Sequence, residues 1–220
     1  MKNTIIATIA LLGMAASACA QNINWQAFKP EQKHLLHLQT GWDYGLTFGI
    51  GYGRKFDTKL PVLANIEYSF PAGERLFDDF KTRIGAQVEV LRRGSFSATV
   101  KAYCPIRRYE NSLVTLFNFG SEFSGVAGFY RRKWFVAGEF GFDKAIATHV
   151  KHSPSALESY SGLQNGWYVP TGGNYSFGLQ TGFSFRANDI SLKAGKVVSQ
   201  GFKTTPFVPY FAQLAYQRRF

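Results

Sequence analysis

The side chains best suited to chemistry lie in one stretch of the chain, between positions 139 and 158. Carboxylates, imidazoles and a hydroxyl follow one another there: Glu139, Asp143, His149, His152, Ser153 and Glu158. Such groups act as general acids and bases, nucleophiles and metal ligands. Two kinds of site therefore need to be weighed, a hydrolytic site built on Ser153 and a metal site built on the two histidines.

The spacing of these residues supports neither site well. A nucleophile needs its base within hydrogen-bonding reach, but adjacent residues of an extended chain, such as His152 and Ser153, point to opposite faces. Asp143 and His149 lie about 20 Å apart on one strand, at ~3.3 Å per residue, which is too far to share a metal ion. His149, His152, Ser153 and Glu158 remain as catalytic candidates, and we expect no metal and no cofactor.

The composition limits the class of protein that carries these residues. The chain has 220 residues, of which 45% are hydrophobic and only 18% are charged, and it holds 21 Phe, 11 Tyr, 22 Gly and 2 Cys. This profile excludes a disordered chain, a disulfide scaffold and a coiled coil. Lys and Arg outnumber Asp and Glu by 25 to 14, a formal net charge of +11. Such an excess favours an anionic partner, either nucleic acid or membrane headgroups.

Hydrophobic residues alternate with a period of two along most of the chain, which predicts β-strands. In 175–186, aromatic residues at odd positions oppose small or polar residues at even positions, and 44–54, 81–90, 113–130 and 134–151 alternate similarly. A soluble β-sandwich would bury the apolar face, whereas a transmembrane barrel would turn it towards lipid. Strands long enough to cross a bilayer, polar faces with charges of both signs, and aromatic residues near strand ends favour the barrel.

The C-terminal segment resembles the closing strand of bacterial outer-membrane β-barrel proteins, which typically ends in Phe after alternating hydrophobic residues. The matching residues are Tyr210, Ala212, Leu214, Tyr216 and Phe220. Arg218 departs from that pattern, although a long Arg near the interface can snorkel to lipid phosphates. The resemblance implies insertion by the barrel-assembly machinery, with Tyr210, Leu214, Tyr216 and Phe220 as the signal. The aromatic, Gly-rich style is similar to small barrels of Bacteroidota.

Residues 1–20 have the pattern of an export signal, because a positive end and an apolar run precede small residues that fit the cleavage rule. Cleavage after Ala20 leaves Gln21 as the mature N-terminus, and a lipoprotein signal with Cys19 as the lipidated residue is the alternative. We predict three parts: a signal peptide over 1–20, a short periplasmic lead over 21–32, and an outer-membrane β-barrel over 33–220.

The lengths of the connections predict the number of strands. Outer-membrane barrels alternate short periplasmic turns with longer outer loops. The predicted strands are 33–40, 44–56, 60–70, 80–92, 95–105, 112–130, 134–150, 174–186, 189–198 and 207–220. The predicted fold is therefore all-β, a transmembrane antiparallel up-and-down β-barrel of about ten strands, with eight strands as the alternative.

A barrel of this size has a narrow lumen, because eight strands are just filled by side chains. The polar faces predict a lumenal network formed by Glu67, Arg83, Glu89, Glu122, Glu139, Asp143 and His149, together with Asn65, Lys81, Lys101 and Lys193. This indicates a structural or small-solute transport role in the envelope. The alternatives are an enzyme that acts on lipid A or envelope lipid through 139–158, and a surface binding protein that uses loop 151–173. Outer-membrane lipid A deacylases place His two residues before Ser, a spacing absent from 149–153.

Clusters of two or three basic residues occur near predicted strand ends, where the phosphates of membrane lipids lie. They are Arg92–Arg93, Arg107–Arg108, Arg131–Lys133 and Arg218–Arg219. We therefore expect outer-membrane lipid and lipopolysaccharide of a Gram-negative bacterium as partners, and no nucleic acid. The sequence does not predict the oligomeric state.

Overall fold

The computed structural model describes residues 23–42, 45–72, 79–170, 172–201, 206 and 208–220. Its strands are β1 His34–Trp42, β2 Leu46–Asp57, β3 Pro61–Pro71, β4 Phe80–Arg93, β5 Phe96–Glu110, β6 Val114–Tyr130, β7 Trp134–His152, β8 Gly166–Tyr168, β9 Gly173–Phe185, β10 Asn188–Ser199 and β11 Tyr210–Arg219. A 3-10 turn over Trp25–Ala27 and helix α1 over Pro154–Ser159 complete the described elements. Within these ranges, no helix is both long and apolar enough to cross a membrane. The predicted signal peptide lies outside the described residues.

The strands form a closed antiparallel barrel. Each of β1 to β7 pairs with the next strand, β7 pairs with β9, and the series continues through β10 to β11. The barrel closes where β11 pairs with β1, from Leu35 opposite Arg219 to Trp42 opposite Ala212. Strand β8 only adds a short edge to the outer part of β7, so ten strands make the wall. The ten-strand prediction is confirmed, and the eight-strand alternative is wrong.

The two faces of the wall have opposite chemistry. Along β2, Leu46, Phe48, Ile50 and Tyr52 are 42–49% exposed on the outside, while Thr47 faces the lumen and is 3% exposed. A soluble protein rarely exposes a continuous apolar surface of this kind. An apolar exterior around a polar interior is the architecture of outer-membrane barrels, and it confirms the predicted fold class and location.

Glycines on the inner face make room for the few large aromatic rings of the lumen. A Cβ at Gly85 would lie 2.6 Å from the Tyr103 ring, and one at Gly182 would lie 2.3 Å from the Phe135 ring. A Cβ at Gly195 would lie 2.5 Å from the Phe211 ring. The alternation of Gly with larger residues therefore reflects packing inside a narrow barrel.

The register of β6 against β7 shifts because Phe119 stands opposite Ala147 and Gly120 opposite Ala145, which leaves Ile146 as an extra, bulged residue in β7. Asp143 faces the lumen before the shift, and Thr148 does so after it, with 0% exposure. His149 therefore turns to the outer face, where its ring centroid lies 5.0 Å from that of Trp167. The prediction that His149 shares a face with Glu139 and Asp143 assumed unbroken alternation, and it is wrong for this reason.

We expect the outer face to reject charge. Replacing Leu192, which is 50% exposed on the lipid side of β10, by Arg should cost about 2–4 kcal/mol near the bilayer midplane. Urea unfolding in lipid vesicles measures this loss of stability. Leu192→Ala is the control for the lost side chain and should be much milder. Equal stability of Leu192→Arg and the unmodified chain would contradict a lipid-facing position.

Candidate functional site in the barrel lumen

The described part of the lumen carries equal numbers of buried positive and negative charges. The basic side chains are Lys81, Arg83, Lys101, Arg107, Lys193 and Arg219, and the acidic ones are Glu67, Glu89, Glu122, Glu139, Asp143 and Asp189. All of them are at most 6% exposed. Burying a charge is costly unless it is paired, so this balance is what a narrow interior requires. The formal charge of +11 therefore does not come from the described lumen.

Glu139 joins two lysines that come from opposite directions around the wall. Its Oε2 lies 3.4 Å from Lys101 Nζ on β5, and its Oε1 lies 2.8 Å from Lys193 Nζ on β10. The strand of Glu139 is β7, so the carboxylate reaches past β6 on one side and past β9 on the other. All three side chains are 2% exposed. This group of Lys101, Glu139 and Lys193 is called the central triad below.

A second group of ion pairs is centred on Arg83. Its Nη2 lies 2.8 Å from Glu67 Oε2, directly across the β3–β4 ladder, and its Nη1 lies 3.5 Å from Glu122 Oε1 on β6. Tyr103 donates a hydrogen bond of 3.0 Å to Asn65 Oδ1, and Asn65 in turn donates to Glu67. These contacts link β3, β4, β5 and β6 through their inner faces.

A third group lies towards the outer end of the lumen. Arg107 Nη2 donates to both oxygens of Asp143 at 2.7 Å, and its Nη1 donates to Asn118 Oδ1 at 3.2 Å. Asn118 then donates to Thr148 Oγ1 at 2.8 Å. Arg107 was predicted at the headgroups because it precedes Arg108 near a strand end. Arg107 instead faces the lumen and is 5% exposed, because side chains of a strand point alternately to the two faces of the sheet.

A fourth group lies at the end with the short turns, which is the periplasmic end by the rule for outer-membrane barrels. Arg219 Nη2 lies 3.3 Å from Asp189 Oδ1, and Ser97 donates a 2.6 Å hydrogen bond to Glu89. Arg219 is 1% exposed, whereas its neighbour Arg218 is exposed on the outer face. The predicted headgroup cluster Arg218–Arg219 is therefore divided between the two faces of β11.

Buried polar atoms without a protein partner surround the central triad. Gln87 and Ser124 stand opposite Lys101 in the two neighbouring ladders, and Gln180 stands opposite Lys193. Among the described residues, both amide atoms of Gln87, the hydroxyl of Ser124 and Oε1 of Gln180 have no partner in the chain. Buried polar groups normally bind water where the protein supplies no partner. The middle of the lumen is therefore built for water or another small polar molecule.

Residues 23–28, here called the inner segment, lie inside the periplasmic end of the barrel. Ile23, Asn24 and Trp25 are 5%, 0% and 3% exposed, and the two apolar side chains pack against Leu35 and Leu63 of the inner wall. The sequence predicts 21–32 as a short periplasmic lead, and the structure places Ile23 and Trp25 of that lead against the inner wall. One sequence feature could have predicted this position inside the lumen: two large apolar residues, Ile23 and Trp25, flank the polar Asn24.

Polar contacts fix the inner segment on several sides of the lumen. Trp25 Nε1 donates to Thr99 Oγ1 of β5 at 3.0 Å. Asn24 Nδ2 donates to Ser184 Oγ of β9 at 2.9 Å and to the carbonyl of Arg131 in the β6–β7 turn at 2.8 Å. From inside the periplasmic end of the lumen, the segment thus bonds to β5, β9 and the β6–β7 turn.

The structure does not assemble the predicted catalytic candidates. Backbone N–H of His152 donates to Asn165 Oδ1 at 2.7 Å, and Ser153 Oγ caps α1 by accepting from the N–H of Ala156. Glu158 is exposed on α1, and His149 packs on Trp167. Within the described ranges, no group of three or more His, Cys, Asp or Glu side chains is placed to hold a metal ion. The 139–158 stretch runs from mid-lumen to an outer loop and does not form one site.

Comparisons with known proteins give likeness of fold only. No protein-family model matches the sequence, and no curated protein sequence matches it. Among solved structures, the KdgM porin in complex with disordered oligogalacturonate is 10% identical, with a TM-score of 0.44, covering 84% of this chain and 99% of that chain. The KdgM porin alone is 9% identical at 0.43, with the same coverage. The Acinetobacter baumannii outer membrane protein Omp33 is 13% identical at 0.29, covering 86% and 98%.

We expect the buried pair of Arg107 and Asp143 to matter for stability. Asp143→Ala leaves the guanidinium buried without its carboxylate and should cost about 3–5 kcal/mol. Arg107→Met combined with Asp143→Leu removes both charges and should cost less than the single change. Denaturant unfolding of the refolded barrel measures both values.

Arg108→Met is the matched control for this pair. Arg108 pairs with Glu110 at the partly exposed rim, where an ion pair contributes roughly 0–1 kcal/mol. If Asp143→Ala costs no more than Arg108→Met, the lumen is wet enough to solvate a free guanidinium, and the ion pair of Arg107 with Asp143 does not stabilise the barrel.

Proposed function

We propose that the protein is a narrow outer-membrane channel for small polar solutes, with the central triad as the site that contacts the solute. The observation that carries this proposal is the arrangement around Glu139. Two buried lysines meet one carboxylate there, and amide and hydroxyl groups that have no partner among the described residues flank both lysines. A lumen that served only to stiffen the wall would satisfy these groups within the chain.

The charge balance of the lumen defines the solute class. Equal numbers of buried acids and bases give the described lumen no net charge, so long-range attraction favours neither anions nor cations. Solutes that carry hydrogen-bonding groups and no net charge, including zwitterions, fit this interior best. The tight packing of the lumenal side chains restricts passage to molecules of small size.

The outward-facing basic residues support a proposal about partners. Arg131, Arg132 and Lys133 are exposed in the β6–β7 turn, and Arg218 is exposed near the closing end of β11. Their positions suit lipid phosphates at the periplasmic side. Lipopolysaccharide at the opposite side, insertion by the barrel-assembly machinery and a lineage among Bacteroidota stay predictions from the sequence.

Glu139 tests the proposed channel. Glu139→Gln keeps the shape of the side chain but leaves Lys101 and Lys193 without their carboxylate. The anion-over-cation permeability ratio should rise by about tenfold, which corresponds to ~1.4 kcal/mol. Reversal potentials in planar bilayers under a KCl gradient measure this ratio.

Lys101→Gln is the opposite control, because it leaves an excess of negative charge and should shift selectivity towards cations. Glu89→Gln is a second control, since Glu89 lies in the periplasmic group and not in the central triad. Correct folding is checked by heat-modifiable migration on gels. A selectivity that is the same in Glu139→Gln and Lys101→Gln, or no current from any folded variant, would refute the channel.

A further inference from the structure

We infer that the periplasmic end of the lumen is a peptide-binding site with a pocket for an indole ring, and that the inner segment is its reversible intramolecular ligand. This inference rests on the proposed channel, because release of the segment opens the path that the channel needs. The site is defined by the surroundings of Trp25: the Thr99 hydroxyl accepts its indole N–H, and the ring belongs to a buried apolar cluster with Ile23, Leu35 and Leu63.

The pocket has chemistry that differs from the rest of the lumen. Leu35 and Leu63 are both 0% exposed on inner faces where most neighbouring positions are polar or charged. Without the inner segment, these two side chains would face a wet lumen, which is unfavourable for apolar surface. The Thr99 hydroxyl oxygen accepts the indole N–H at 3.0 Å. The pocket therefore combines the apolar surface of Leu35 and Leu63 with one hydrogen-bond acceptor. Indole is the side chain that matches this combination.

The inner segment can leave without breaking the barrel. Its backbone belongs to no strand, and its only regular structure is the 3-10 turn Trp25–Ala27. Backbone pairing with the wall begins at Lys33, whose N–H donates to Phe220 O and whose carbonyl accepts from Lys55 N–H. The turn over 29–32, closed by Gln32 N–H donating to Lys29 O, separates the segment from this anchor. Release therefore exchanges side-chain contacts for water and leaves every strand pairing intact.

Two basic side chains contact Phe28, the last residue of the inner segment. Lys55 Nζ lies 5.7 Å from the centre of the Phe28 ring, and the Arg219 guanidinium lies 5.6 Å from it. Cation–π contacts of this kind are individually modest. Arg219 also pairs with Asp189 in the periplasmic ion-pair group. One guanidinium therefore contacts both Phe28 of the inner segment and a carboxylate of the wall. The binding is thus distributed over weak contacts around one strong anchor, Trp25.

Removing the anchor should open the barrel. Trp25→Ala combined with Asn24→Ala deletes the indole and the contacts to Ser184 and the β6–β7 turn. The time-averaged current through single barrels should rise by about tenfold or more, since the closed state loses its preferential contacts. Glu31→Ala is the matched control, at an exposed position just outside the inner segment. Glu31 forms an exposed ion pair with Lys29, and its loss should leave the current near that of the unmodified chain.

Holding the segment in place should have the opposite effect. Cysteines at positions 24 and 184 replace Asn24 and Ser184, whose polar atoms lie 2.9 Å apart, in a Cys104→Ser background because Cys104 is free and exposed. A short thiol-reactive cross-linker should abolish the current, and a reductant should restore it. This pair of states keeps the test valid if the alanine variant folds poorly.

Binding in trans provides a readout that does not depend on current. A labelled synthetic peptide with the sequence of residues 21–29 should bind the Asn24→Ala/Trp25→Ala barrel, as followed by fluorescence anisotropy, and should reduce its current. The same peptide with Ala in place of Trp should do neither. The cross-linked barrel should not bind the peptide, because its site is filled.

The outcomes separate the two proposals. A current that is unchanged by the alanine variant and by cross-linking, while Glu139→Gln still alters selectivity, overturns the plug and leaves the channel standing. Peptide binding to the alanine variant without current from any variant supports the binding site and overturns the channel. Failure of the peptide to bind the folded alanine variant overturns the site.

Discussion

The structure depends on the pairing of β11 with β1. A backbone amide in hydrocarbon has no water to bond, so a membrane-crossing sheet cannot tolerate a free edge. The ladder from Leu35–Arg219 to Trp42–Ala212 removes the last edge. Closing ten strands into a ring then fixes a narrow radius, and every second side chain must fit into that space. The small residues of the inner face and the crowding of ion pairs in the lumen both follow from closure.

Closure also explains why the lumenal charges come as a balanced set. In a narrow interior each charge loses most of its hydration, and only close partners offset that loss. Strand neighbours supply some partners, as Glu67 does for Arg83, but Glu139 reaches its lysines past intervening strands. Bonds of the second kind tie non-adjacent strands together. They also place the counter-charges in the middle of the path, where a permeating solute must meet them.

The sequence predicted the wall well because lipid imposes a period of two on every strand. The predicted ten strands and the alternation of polar and apolar faces match the structure, since any slip of one residue would place charge in lipid. The prediction was wrong where that period breaks, at the β6–β7 bulge that turns His149 outward. It also misplaced Arg107 and Arg219, because a basic pair at a strand end looks the same whether one or both members face out. The inner segment could not be foreseen from periodicity, because it pairs with no strand.

The inner segment and the balanced lumen are two answers to the same physical problem. A polar lumen of fixed width that crosses a membrane is a leak unless something fills it, and side chains on the wall fill it only where they meet across the axis. At mid-height the central triad does so through Glu139. At the periplasmic end the wall instead offers Leu35, Leu63 and a threonine hydroxyl, and a segment outside the sheet supplies Trp25. A side chain of the wall, such as Glu139, cannot leave the lumen without unfolding its strand. The inner segment, which Trp25 and a few hydrogen bonds hold in place, can leave and return. The site of reversible closure is therefore expected where the filler is not a wall residue, which is at the inner segment and not at Glu139.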